Sequence, residues 1–187
     1  MTDERQQLEI AGRTVTIRPM CHTDANLEQE FVCRLSPESK HYRFLGAVRE
    51  LSPQEVRRFC YVDGHRSMAF VATVDEDGRP RQIGVSRYAP DADGHAREIA
   101  ITVADDWQNR GLGTQLAIAL IQHAREHGVT KLYSIDLADN TRMRMLARDL
   151  GMKASPDPDD ARQVIYSLSL TDLPGAAERR PVTLAAP

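Results

Sequence analysis

Lysine is nearly missing from this chain. Lys and Arg together number 24, yet lysine occurs only at Lys40, Lys131 and Lys153, and none stands in the Gly-Lys-Ser/Thr string of a P-loop. Cysteine is limited to Cys21, Cys33 and Cys60, an odd number with no CxxC pair, so free thiols in a reducing cytoplasm are expected rather than a disulfide framework. No apolar run approaches the roughly 18 residues a membrane helix needs. The first ten residues carry Asp3, Glu4, Arg5 and Glu9 and have no apolar signal-peptide core. An excess of one charge is lacking too. A net charge of −3 and a pI near 6.1 give no reason to expect a nucleic-acid or membrane partner. Among the scattered histidines only His123 and His127 have a chelating spacing, and no acid or thiol accompanies them. Solvated histidines favoured by a helix C-terminus are expected there, and no metal.

What is present is enough for one domain. The 187 residues are 41% apolar and 27% charged, the balance of a globular protein with a core of its own. Residues 1–12 read as a leader, 13–170 as the folded domain and 171–187 as a flexible tail with little core-forming power. Residues 14–19 alternate as a strand stopped by Pro19. Thr23-Asp24 opens a helix to about Leu35. Ser36-Pro37-Glu38-Ser39 and Ser52-Pro53-Gln54-Glu55 are two helix starts, each with a serine cap, proline at the first position and acid in the first turn. From Ser67 the period becomes two. Strands are predicted at 68–74, 82–88 and 95–104, with turns at 75–78 and 90–94, which makes an antiparallel meander. A helix at 111–127 carries Leu112, Leu116, Leu120 and Ala124 on one stripe and ends at Gly128. A strand at 131–137, a helix at 141–150 and a strand at 163–170 close the domain.

The loop 105–113 joins a strand to the N-terminus of the most regular helix. Gly111 and Gly113 remove side chains where a ligand would meet the backbone. The first-turn N–H groups and the helix dipole favour an anion there, and Arg110 and Thr114 add a charge and a hydroxyl. A pyrophosphate suits this arrangement. A dinucleotide fingerprint would need glycine or alanine where Leu116 stands and a parallel βαβ unit around it, although Asp136 imitates the ribose-binding acid. The meander does not supply that unit. Asp105 and Asp106 read as solvated turn residues and Trp107 as an anchor of the loop on the core.

Taken in order, the meander, Val103-Ala104-Asp105-Asp106-Trp107-Gln108-Asn109-Arg110-Gly111-Leu112-Gly113, the long helix, the strand ending at Leu137, Asp139-Asn140 and the short helix closing at Leu150-Gly151-Met152 resemble the GNAT acetyltransferases over about residues 13–170. Leu35-Ser36-Pro37-Glu38-Ser39, Tyr42-Arg43-Phe44, Leu51-Ser52-Pro53-Gln54-Glu55 and Ala147-Arg148-Asp149-Leu150-Gly151 resemble more narrowly the catalytic domain of bacterial Pat-type protein lysine acetyltransferases. The resemblance implies an α/β fold of the α+β type, with a mixed, mostly antiparallel twisted sheet of six to seven strands flanked by four to five helices. It implies acetyl-CoA as cosubstrate, with the pyrophosphate on Gln108, Asn109, Arg110, Gly111, Leu112, Gly113 and Thr114. The pantetheine arm would pair with the backbone at Ile101 and Val103, where the strand splays from its neighbour at a bulge. Asn140 matches an asparagine near the CoA arm and equally suits the N-cap of the helix it precedes. Many relatives carry a tyrosine acid where this chain has Ala147. A thiol of ordinary pKa near 8.5 is an acceptable leaving group without one.

The same resemblance implies Glu98 as general base for direct attack by an amine. Strand alternation puts Glu98, Ala100 and Thr102 on one face, where small neighbours leave room for two substrates. Glu98 could instead be an ordinary strand glutamate paired with Arg97 or Arg87. The acceptor reads first as a protein lysine. A small amine such as a polyamine, amino acid or drug is the alternative, and a non-catalytic acyl-CoA-binding module is a third reading. A homodimer is left open.

Overall fold

The computed structural model describes residues 5–45, 50–91 and 96–171. The expected turn at 90–94 lies mostly outside them, as does the tail beyond Thr171. The described residues form one eight-stranded sheet and five α-helices. Strands β1 (Gln6–Ile10), β2 (Arg13–Pro19), β3 (Met68–Glu76), β4 (Arg79–Pro90) and β5 (Arg97–Val103) make an antiparallel meander. Strand β6 (Lys131–Leu137) joins β5 in parallel, and β8 (Gln163–Ser169) lies antiparallel between β6 and β7 (Lys153–Pro156). The sheet order is β1-β2-β3-β4-β5-β6-β8-β7.

Eight strands slightly exceed the expected six to seven, and the two without a strand assignment in the sequence, β1 and β7, each lack the signal that reveals a strand. Strand β1 falls in the expected leader and buries only Ile10 fully. It is fixed to β2 by a two-residue turn in which Ala11 and Gly12 both have positive φ, the geometry that matches strand twist. All four residues of β7 are exposed, so no apolar alternation marks it. The hairpin at Asp77 and Gly78, also at positive φ, follows the sequence expectation.

The helices are α1 (Ala25–Arg34), α2 (Pro37–Phe44), α3 (Pro53–Cys60), α4 (Leu112–Glu126) and α5 (Thr141–Asp149). The caps of α2 and α3 follow from Ser36 and Ser52, which accept the N–H groups of Ser39 at 3.1 Å and Glu55 at 3.2 Å. Helix α4 sinks Leu112, Leu116 and Leu120 completely into the core. It approaches the sheet closely at Gly84, where an added Cβ would come within 2.8 Å of Leu116 Cδ1. On the other face the buried Glu28 of α1 pairs with Arg87 of β4 at 2.9 Å and accepts from Gln82 at 2.6 Å. No helix among the described residues is long and apolar enough to cross a membrane.

His127, the C-cap of α4, is exposed as expected, but His123 departs from expectation. His123 is buried, its ring stacked on His127 at 3.9 Å and its Nδ1 lying 3.0 Å from the Tyr88 hydroxyl. The reason is the stripe: position 123 continues the core face of α4 one residue before Ala124. Burial first, then His127, pushes its pKa down to about 4. The unfolded imidazole, near 6.5, therefore gains a proton on acidification that the folded one refuses. Stability is thus lost as pH falls from ~6.5 to ~4, by up to about 3 kcal/mol. His123→Gln keeps an acceptor for Tyr88 and should remove this share of the pH dependence. Chemical denaturation at pH 7 and pH 4 measures it: the wild-type-minus-variant difference should change by about 3 kcal/mol, and an unchanged difference would contradict the assignment.

Candidate active site

Strands β5 and β6 pair only at Arg97 with Leu132 and at Glu98 with Tyr133. Beyond that point they diverge, while β5 keeps β4 to Val103 and β6 keeps β8 to Leu137. The register of β5 on β4 is continuous, so the divergence arises without the expected bulge, by separation of two strands each held on its outer side. Ala104 N–H donates to Ile83 of β4 at 2.9 Å. With the strand period of two, the backbone groups of Ile101 and Val103 then point away from β4, into the gap. A cleft of about 470 Å³ fills the opening, bordered by β5, β6, α2, α5 and the loop ahead of α4.

That loop is held from several sides. Residues Asp105–Trp107 form a 3-10 turn, and Trp107 is buried as expected. Asp105 is not merely solvated: its carboxylate accepts from Ser36 N at 2.8 Å, Ser36 Oγ at 2.6 Å and Ser39 Oγ at 2.7 Å. Asp106 pairs with Arg81 at 2.9 Å. The Gln108 amide donates to Ser39 Oγ and to the Val103 carbonyl, both at 3.1 Å, so its side chain braces the loop between α2 and β5. Asn109 and Gly111 take positive φ, and Gly111 is the N-cap of α4 without any side-chain cap. No acid stands in the first turn, so its N–H groups and dipole are open to an anion.

Most of the expected binding residues meet here. Ile101, Val103, Gln108, Asn109, Gly111, Gly113, Thr114 and Asn140 all line the cleft, and so does Glu98 near the closed end of the split. Two do not. The Leu112 side chain is wholly buried in the core, leaving only its backbone for a ligand, and Arg110 lies over the Trp107 ring at 5.3 Å. Asn140 caps α5, accepting from Met143 N at 3.1 Å, so the capping alternative holds at a position that also faces the cleft.

Glu98 is exposed; of its alternative partners Arg87 is engaged by Glu28, and Arg97 donates to the Ala96 carbonyl at 3.0 Å. Tyr133 stands beside it in register, its phenol pushed upward by burial and then by the charge of Glu98. Tyr166 is buried and likewise raised, and Ala147 is buried in the core, so neither position brings a tyrosine hydroxyl to the cleft lining. Three cleft residues were given no part in this site by sequence reasoning. Asp136, bound by Ser134 at 2.5 Å and Asn140 at 3.3 Å, has its pKa pushed up to about 6, mainly by burial. Arg142 of α5 reaches Glu38 of α2 at 2.7 Å and joins the two helices that border the cleft. Arg43 was visible only as part of the Tyr42-Arg43-Phe44 string. Among the described residues no group of three His, Cys, Asp or Glu side chains is arranged to hold a metal.

An opened sheet edge with an uncapped helix N-terminus at one end and a carboxylate at the other can hold a long phosphorylated ligand in line with a proton acceptor. Comparison with known proteins agrees in kind. The model of the acetyltransferase (GNAT) domain matches residues 14–153. Acetyltransferase PA5475 of Pseudomonas aeruginosa is 45% identical over 85% of this chain and 86% of its own. Acetyltransferase Pat of Mycolicibacterium smegmatis is 44% identical over 54 residues, 29% of this chain and 16% of its own. The GNAT domain of S. lividans PAT superposes with a TM-score of 0.80 at 26% identity, covering 89% of this chain and 97% of that one. The chain belongs to the GNAT acetyltransferase family and is an acyl-CoA-dependent N-acetyltransferase.

Proposed function

We propose that this chain transfers acetyl from acetyl-CoA to a primary amine, in the first instance a protein lysine, by direct attack with Glu98 as base. The observation that carries the reading is the shared cleft, in which Glu98 and the uncapped start of α4 border one opening of the sheet. The pyrophosphate would meet the N–H groups after Gly111 together with Asn109, Thr114 and the Arg110 charge, and the pantetheine would run along Ile101 and Val103 toward Asn140. Bound acyl-CoA supplies the activated thioester. Lysine as acceptor rests on the likeness to the Pat domains. A cytoplasmic setting accords with the three unpaired cysteines.

Gly113 offers the cleaner test of the phosphate end. A Cβ there would sit 3.7 Å from Val103 Cγ2 and 4.0 Å from Leu146 Cδ2, ordinary contact distances, whereas any side chain at Gly111 is also strained by a φ of +81°. Gly113→Ala should therefore be tolerated. Gly113→Leu should raise KM for acetyl-CoA about 10- to 100-fold, the cost of losing charge-assisted N–H contacts, with far less effect on the acceptor KM. Unchanged CoA affinity of the leucine variant by calorimetry would remove the phosphate assignment.

The base follows from acceptor chemistry. A lysine ammonium near pKa 10.4 needs about 4.6 kcal/mol to give up its proton at pH 7, and an exposed carboxylate can relay it directly or through water. Glu98→Gln should lower turnover by roughly 10²–10⁴ at neutral pH, with CoA binding intact and part of the rate restored in alkali. Pre-steady-state acetylation at pH 7 within about threefold of the parent would return the base to another group.

A further inference from the structure

Two carboxyl groups that line the cleft, Glu98 and Asp136, stand on opposite faces of the opened sheet. Arg97 and Leu132 are parallel partners and share a face, so alternation puts Ser134 and Asp136 of β6 on the face of Ile99, Ile101 and Val103. That is the face of α4. Val103 and Ile101 stand in register with Gly84 and Ser86 of β4, a Cβ on Gly84 would meet Leu116, and Ser86 Oγ donates to the Leu116 carbonyl at 3.0 Å. Glu98 lies on the other face, with Ala100 and its register partner Arg87.

Asp136 is buried and still borders the cleft. Ser134 Oγ donates to one of its oxygens at 2.5 Å and Asn140 Nδ2 to the other at 3.3 Å. Asn140 can only donate there, because its Oδ1 is taken by Met143 N at 3.1 Å. With Ser134 donating as well, a proton on this carboxyl is free to point into the cleft. Glu98 of β5, Arg43 of α2 and Tyr166 of β8 act on or feel its charge, while on α5 Arg142 is paired with Glu38 and Asp149 is exposed. Burial outweighs the two hydrogen bonds and Arg43, Glu98 adds to the rise, and the pKa reaches about 6. A ligand that displaces water from the cleft deepens the burial and raises it further.

A ligand with its phosphates at the start of α4 and its arm along Ile101 and Val103 lies toward the α4 face, so its sulfur comes to the side of Asp136. The amine comes to the side of Glu98. We infer that Asp136 is a catalytic acid of this chain, its carboxyl O–H protonating the sulfur that departs as the amide forms, with Ser134 and Asn140 holding it in place. The step balances. Nitrogen forms its bond to the acetyl carbon and gives a proton to Glu98; the carbon–sulfur bond breaks with its electron pair on sulfur, which takes the Asp136 proton. Asp136 is left as carboxylate and recovers its proton from water, to which Glu98 returns its own. The inference rests on the transferase reading above.

Two readouts test it. The first needs no acceptor: the thiol of bound CoA is titrated by its thiolate absorbance, with desulfo-CoA as the blank. An ionised Asp136 beside the sulfur opposes a second negative charge, so this thiol should titrate at least about one unit higher in the wild type than in Asp136→Asn. Equal values overturn the inference. The second is kcat against pH at saturating acetyl-CoA, with an amidated lysine peptide and the diamine putrescine as acceptors. The wild type should exceed Asp136→Asn by about 10- to 100-fold near pH 6.5, a modest acid contribution because a thiolate is already a fair leaving group. The ratio should fall toward one by about pH 9, where the wild type has lost the proton too. A ratio that stays constant with pH, as damage to the Asn140 cap would give, overturns the inference, as does a ratio near one throughout. Should Asp136→Asn fail to fold, Ser134→Ala keeps the acid and removes a hydrogen bond that favours its ionised form. Its kcat should then hold to a higher pH than that of the wild type, and an unshifted profile overturns the inference. Should neither acceptor turn over in the wild type, the transferase reading falls, and the CoA titration still decides whether Asp136 faces the sulfur.

Discussion

The structure depends on a sheet that stops pairing in its middle. Backbone N–H and C=O groups withdrawn from water need partners, and between β5 and β6 only two residue pairs supply them. The groups facing the gap on one bank are those of Ile101 and the N–H of Val103, whose carbonyl accepts the Gln108 amide. The other bank is β6, held from behind by seven pairs to β8. Neither strand can move to close the gap without losing its outer ladder. A ligand with amide groups of its own can complete the edge, which is strand addition by a small molecule.

Everything around the gap holds it open and gives it polarity. Asp105 ties the loop to the start of α2, Gln108 ties that loop to β5, and Arg142 with Glu38 ties α2 to α5. Gly84 lets α4 press on the sheet so that its uncapped first turn meets the end of the cleft. One end of the opening thus offers N–H donors and a dipole, the other offers Glu98. Between them the Arg43 guanidinium lies in the field of Glu28, Glu98 and Asp136.

Local features were legible in the sequence and long-range ones were not. The Ser-Pro starts of α2 and α3, the Asp77-Gly78 hairpin and the glycine loop are each decided within four or five residues, where propensity and turn geometry act. Asp105 looked solvated because its partners stand 66 to 69 residues away. His123 looked exposed because the helix end was counted one turn too near solvent. The opening beside β5 was expected from a bulge, yet β5 is regular, and the cause is the separate anchorage of β6 on β8. Strand β8 arrives last in the chain, and no local pattern in β5 announces it. Tyr42-Arg43-Phe44 was visible as a string, but the place of Arg43 in the cleft lining shows only once α2 is folded against the sheet.

The central claim is that acyl-CoA fills the gap in the sheet and lays its phosphates on α4. Amide hydrogen exchange, read residue by residue with and without acetyl-CoA, tests it directly. Binding should slow exchange at Ile101 and Val103 and through 111–114 together, because one ligand spans both, and should leave the β1–β2 hairpin unchanged. Protection confined to other elements, or none at saturating acetyl-CoA, would contradict the account.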